Sequence, residues 1–169
     1  MSMTLSIAET PEELEGVADL TRQYLEWDLR AFEKAAGLSL DLEAYVANTL
    51  DHLDAYMPPD GRLVMARDAA GRLQGLVLLR RLDPESAEIK RLFVDPAARG
   101  KGVGERLVET VLDEAGKAGY RRVFLDTATY MTAAHRLYRR FGFRDTAPYP
   151  GSENDETVKA FLIFMTREL

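Results

Sequence analysis

The 169 residues carry a net charge of −6, 46% hydrophobic and 30% charged side chains, and no cysteine. That length suits one domain whose core stands without disulfides, and residues 1–169 are read as a single domain. The missing cysteines exclude thiolate nucleophiles and cysteine metal sites, the acidic balance argues against nucleic-acid binding, and no apolar run approaches the ~20 residues of a membrane span. The segment Met1 to Ile7 lacks the basic end and apolar stretch of a signal peptide, so a cytoplasmic location is expected.

Leu5-Ser6-Ile7 reads as a first strand. Thr10, Pro11 and Glu13 then form a helix start, with Thr10 as N-cap and Glu13 closing a capping box. Leu14, Val17, Ala18, Thr21, Tyr24 and Leu25 give that helix its buried stripe, and Gly37 interrupts it. A second helix carries Leu42, Tyr45, Val46, Thr49, Leu50 and Leu53 at helical spacing. Leu63–Arg67 and Leu73–Leu79 make a hairpin across Asp68–Gly71, and Ala87–Val94 is a further strand closed by Asp95-Pro96. Val103, Leu107, Val108, Val111, Leu112 and Ala115 recur at helical spacing, followed by a strand at Arg121–Asp126. Ala134, Leu137, Tyr138 and Phe141 share one helical face, with Gly142 placed as a left-handed C-cap. Phe143–Asp145 and Val158–Met165 read as the last strands, separated by a polar loop. The order β-α-α-β-β-β-α-β-α-β-β is that of an α/β (α+β) domain.

Between the strand at 87–94 and the helix at 103 stands Arg99-Gly100-Lys101-Gly102-Val103-Gly104. A strand, a glycine-rich turn and a helix start together aim backbone N–H groups and a positive helix end at a phosphate. The spacing matches neither a Walker A loop, where Val103-Gly104 would have to be Lys-Ser/Thr, nor a dinucleotide fingerprint. Five basic residues (Lys90, Arg91, Arg99, Lys101, Arg106) against two acidic ones (Asp95, Glu105) give the region a local positive charge suited to a small anionic ligand.

The R-x-x-G-x-G pattern of Arg99–Gly104, followed by Ala134-His135-Arg136-Leu137-Tyr138-Arg139-Arg140-Phe141-Gly142-Phe143 as A-x-x-L-Y-x-x-x-G-F, resembles the GNAT superfamily of acyl-CoA-dependent N-acyltransferases over nearly the whole chain. The resemblance implies a mixed, mostly antiparallel sheet splayed between strands four and five and flanked by helices. It implies acetyl-CoA as cosubstrate, no metal, and a small-molecule or peptide amine as acceptor, without nucleic acid or membrane, in a monomer or homodimer. A non-catalytic acyl-CoA-binding module is the alternative.

Carried over by the resemblance, the backbone of Leu92, Phe93 and Val94 pairs with the pantetheine arm. Arg99, Gly100, Lys101, Gly102, Val103 and Gly104 hold the pyrophosphate, and Ala134 joins the cofactor wall. An amine attacks the thioester through a tetrahedral oxyanion polarised by a backbone N–H near Phe93 or Val94. Tyr138 protonates the leaving thiolate, and Glu88 is the expected base, unless it serves as a cross-strand ion-pair partner. Where many family members carry asparagine, this chain has Met131, which shifts that contact to Thr129, Thr132 or backbone groups. Trp27, Arg30, Phe32, Asp126, Thr127, Tyr130 and Tyr149 are the expected acceptor-side residues, with Arg30 as a partner for an acceptor carboxylate. His52 and His135 are expected to face solvent.

Overall fold

The computed structural model describes residues 3–152 and 154–169. Strand β1 (Met3–Ile7) leads through a 3-10 turn at Pro11–Leu14 to α1 (Val17–Ala36), α2 (Leu42–Asp51) and a second 3-10 turn at Leu53–Tyr56. The hairpin β2 (Arg62–Asp68) and β3 (Leu73–Arg81) is followed by β4 (Ser86–Val94) and α3 (Val103–Lys117). Then come β5 (Arg122–Ala128), α4 (Thr132–Arg140), β6 (Arg144–Thr146), α5 (Glu156–Lys159) and β7 (Leu162–Glu168). The strands make one sheet in the order β1-β2-β3-β4-β5-β7-β6, and β4 with β5 is its parallel pair.

Strand alternation divides the core into two layers. Val64, Ala66, Val77, Leu79, Ala87 and Ile89 point to the face covered by α3, whose residues Val103, Leu107, Val108, Val111, Leu112 and Ala115 are all buried against them. Leu63, Met65, Leu76, Leu78 and Phe93 point the other way, to Leu20, Tyr24 and Leu25 of α1 and Val46 of α2. The expected stripe of α3 is the one the packing uses; in α1 Val17, Thr21, Tyr24 and Leu25 are buried as expected, but Ala18 is exposed and Leu20 takes its place in the core.

Two local expectations are corrected. Thr10 makes no side-chain cap; Gly16 at φ +81° breaks the chain after a single 3-10 turn, and Glu13 reaches back to the Glu9 N–H at 2.7 Å instead. Val158–Ala160 is not strand, because Asp155 Oδ1 accepts from the Val158 N–H at 2.9 Å and caps the short α5.

Two irregularities shape the centre of the sheet. The β4–β5 pairing runs only from Ser86↔Arg122 to Ile89↔Leu125, so the strands diverge beyond Ile89 and Leu125, giving the expected splay. In β4, Leu78 of β3 lies opposite Lys90 and Leu76 opposite Phe93, leaving Val77 against both Arg91 and Leu92. This is a β-bulge, a device that bends a strand and re-aims its side chains. Arg91 takes φ +54°, the one non-glycine in the left-handed region among the described residues, a conformation costing about 1–3 kcal/mol.

Candidate active site

The strand divergence opens a cleft of about 550 Å³ between the end of β4, the start of α3 and α4. Leu92, Phe93, Val94, Arg99, Gly100, Gly102, Val103, Gly104 and Ala134 line it, as does Trp27. Of the residues expected on this side only Lys101 lies off the wall, its Nζ donating to the Ala97 carbonyl at 2.7 Å. Gly100 and Gly102 adopt φ of +73° and +77°, conformations that glycine enters without steric cost, and Gly102 is the N-cap of α3. The first hydrogen bond within the helix runs from Arg106 N–H to Gly102 O, so the preceding turn offers its N–H groups to the cleft. The Arg99 guanidinium lies 5.5 Å from the Trp27 ring centroid and 5.7 Å from that of Phe93. Glu105, on the same first turn, is paired with Arg140. Backbone donors, a helix N-terminus and an arginine thus line one cleft, an arrangement suited to an anion.

A second, smaller cavity of about 70 Å³ lies on the α1 side, and the two share Tyr24, Tyr130 and Met131. Phe32, Asp126, Thr127 and Tyr130 line it as expected, whereas Arg30 and Tyr149 do not. Arg30 is exposed and bound to Glu26 one helical turn away. Tyr149 is buried and its hydroxyl donates a hydrogen bond to Glu88 Oε1 at 2.7 Å. Met131, at the expected asparagine position, directly precedes α4 as its N-cap residue and receives a long contact from Thr127 Oγ1 at 3.8 Å. Thr132 lines the larger cleft.

Glu88 lines neither cavity. It is fully buried opposite Arg80 in the β3–β4 register, accepts from Arg80 Nε at 2.6 Å and lies 3.2 Å from Lys90 Nζ. The cross-strand ion pair weighed for it is what the geometry provides; a carboxylate clasped by two cations and a tyrosine has neither free oxygen nor access to an amine. Burial acts to depress Lys90, but Asp126 and Glu88 together raise it above the ordinary lysine range, so it stays charged. Asp126 Oδ2 in turn accepts from Lys90 Nζ and Asn154 Nδ2, each at 3.0 Å.

Tyr138 is 5% exposed, with its ring edge-on to Phe143 at 5.7 Å between centroids. Its hydroxyl makes no hydrogen bond among the described residues. Burial, reinforced by Asp126, lifts it well above the usual tyrosine range, so it remains a proton donor. Tyr24, which lines both cavities, is raised likewise, by burial and then by Asp28, whereas Tyr138 itself lines neither and packs in the core behind α4 residues Ala134 and Leu137 of the cleft wall.

The sequence reading missed Asp28 as a site residue and misplaced Arg91 and His135. Asp28 on α1 accepts from the Tyr130 hydroxyl at 2.8 Å; burial pushes it above the usual aspartate range, against the lowering pull of Tyr130 and Arg91. Arg91 enters the smaller cavity through the bulge. His135 is buried rather than solvent-facing, with Nε2–H donating to the Ala128 carbonyl at 2.9 Å. Its i, i+3 relation to Tyr138 was the available signal.

Residues 21–143 match the acetyltransferase (GNAT) family. An uncharacterized N-acetyltransferase of Schizosaccharomyces pombe is 31% identical over 149 residues, 88% of this chain and 86% of its own length. An IAA acetyltransferase of Azospirillum brasilense is 38% identical over 111 residues, 64% of this chain and 71% of its own. Among solved structures, PaiA N-acetyltransferase from Thermoplasma acidophilum in complex with coenzyme A superposes with a TM-score of 0.72 over the whole of both chains at 18% identity. With the splayed sheet and the glycine loop in place, these likenesses make the chain a member of the GNAT acetyltransferase family.

Proposed function

We propose that this protein transfers an acetyl group from acetyl-CoA to a primary amine by direct attack of the amine on the thioester. The observation that carries this is the meeting of two cavities at Tyr24, Tyr130 and Met131, one walled by the glycine loop and the other by carboxylates and tyrosines. A donor entering from one side and an acceptor from the other bring their reacting atoms together at the divergence of β4 and β5, which supplies the proximity a bimolecular transfer needs.

In this reading the cleft residues Arg99, Gly100, Gly102, Val103 and Gly104 hold the pyrophosphate, and Leu92, Phe93 and Val94 run beside the pantetheine arm. Tyr138 gives the leaving thiolate its proton. Asp28 takes the place first assigned to Glu88: it stands on the cavity wall, and a carboxylate raised toward neutrality accepts a proton from the acceptor ammonium better than an ordinary aspartate. The new amide bond forms as the C–S bond breaks, releasing CoA.

The test is thiol release from acetyl-CoA against a broad panel of amines, alongside calorimetric titration of CoA. Turnover that falls in Tyr138→Phe supports the assignment. Tight CoA binding with no turnover of any amine favours the alternative of a non-catalytic acyl-CoA-binding module.

A further inference from the structure

We propose that the acceptor is a free α-amino acid of apolar side chain, its carboxylate held by Arg91. This deepens the acetyl-transfer reading and rests on it. Arg91 is presented by the β4 bulge in a left-handed backbone conformation that arginine rarely adopts, and it lines the smaller cavity. Its only hydrogen bond among the described residues is a long one, Nε to Thr49 Oγ1 at 3.4 Å, and it forms no ion pair there. Both terminal NH₂ groups are therefore uncommitted on a half-buried guanidinium, while Arg62, Arg67, Arg80, Arg81 and Arg122 of the sheet are each bound to a carboxylate or carbonyl. A planar fork of donors left open inside a cavity is suited to a bidentate carboxylate. Strain kept at one residue of a site is a sign that the position of its side chain matters.

The opposite pole is also present. Asp28 and Asp126 share the cavity wall with Arg91, and Asp126 is already bound to Lys90 and Asn154, which leaves Asp28 as the carboxylate for an ammonium and Arg91 as the cation for a carboxylate. The presence of both signs on one wall fits a zwitterion better than a polyamine, which would meet an arginine, or a peptide, whose carboxylate is remote from its amine. Leu29, Phe32, Leu40, Val158, Phe161 and Leu162 give the wall an apolar stretch beside its tyrosines, Thr127 and Asn154, and the volume of about 70 Å³ favours a small acceptor.

The experiment follows thiol release from acetyl-CoA with alanine, valine, leucine, methionine and phenylalanine, each beside its primary amide and its decarboxylated amine. The free acids are expected to exceed the amides by about tenfold or more in kcat/KM, because a buried donor fork left without its partner penalises the neutral analogue. Arg91→Asn, which tolerates the left-handed backbone, is expected to erase that preference through KM, and Arg91→Lys to retain part of it. Equal or better turnover of the amides overturns the proposal, as does an unchanged preference in Arg91→Asn of normal melting temperature. If Arg91→Asn does not fold, the wild-type ratio of acid to amide decides alone. Acetylation confined to amines without a carboxylate overturns this proposal and leaves acetyl transfer standing. If no amine is acetylated although CoA binds, acetyl transfer fails and this inference with it.

Discussion

Lys90 and Asp126 are the first residues beyond the last β4–β5 pair, and their side chains meet at 3.0 Å across the opening of the splay. The same ammonium lies 3.2 Å from Glu88, so one lysine joins the apex of the cleft to a buried carboxylate beneath it. Charges removed from water are stable only while every partner is present.

Glu88→Gln is therefore expected to act on stability. It leaves Arg80 and Lys90 short of an anion, at a cost of about 3–5 kcal/mol. For a chain of this size each kcal/mol lowers Tm by about 2–4 °C, which a melting curve resolves. The folded fraction should keep most of its kcat; a loss of kcat without a loss of Tm would return Glu88 to the role of base.

Tyr138→Phe should behave in the opposite way. The hydroxyl makes no hydrogen bond that folding depends on, so Tm should hardly move. Loss of a general acid lowers kcat by about 10²–10⁴-fold, measurable by thiol release across pH.

At Gly104 a Cβ would meet Leu137 Cδ2 at 3.4 Å and Val94 Cγ2 at 3.7 Å, ordinary contacts with two residues that line the cleft. Gly104→Ala should leave Tm unchanged or raised, since alanine is favoured over glycine in a helix by up to about 1 kcal/mol. CoA affinity should fall as the methyl enters the cleft. Calorimetry showing unchanged affinity would remove this turn from the pyrophosphate site.

Asp28 carries the pH dependence. Its pKa is raised on folding, so the folded state prefers the protonated form. That preference stabilises the fold fully below the unfolded pKa of about 4 and is lost as pH rises through the folded value. Asp28→Asn should accordingly raise Tm at neutral pH, with the gain shrinking to nothing in acid, while kcat falls. A Tm difference independent of pH would contradict this account.

Much of this architecture is legible in short-range pattern. The α3 stripe from Val103 to Ala115, the turns at Gly37 and Gly142 and the strand–loop–helix passage through Arg99–Gly104 depend on local periodicity and on left-handed positions that glycine fills. Ala134 and Leu137 follow the same helical logic, half-buried because their face borders the cleft. Local rules were insufficient at Thr10, where Gly16 broke the helix too early for a cap to form, and at Val158, where Asp155 nucleated a turn inside an apolar run.

The sequence by itself determined where the phosphate loop, the tyrosine helix and the core stripes lie, because these follow from spacing along one chain segment. Only the tertiary structure decided which carboxylates face the cavity. Glu88 and Asp28 are alike as residues, but one meets Arg80, Lys90 and Tyr149 from neighbouring elements while the other meets Tyr130 and Tyr24 at the junction. Likewise the bulge at Arg91 depends on the register of β3 against β4, a long-range pairing that no local pattern contains. The charge state and reach of a side chain are set by neighbours brought from distant segments, which is why the donor side could be read from the chain and the acceptor side had to be seen in the fold.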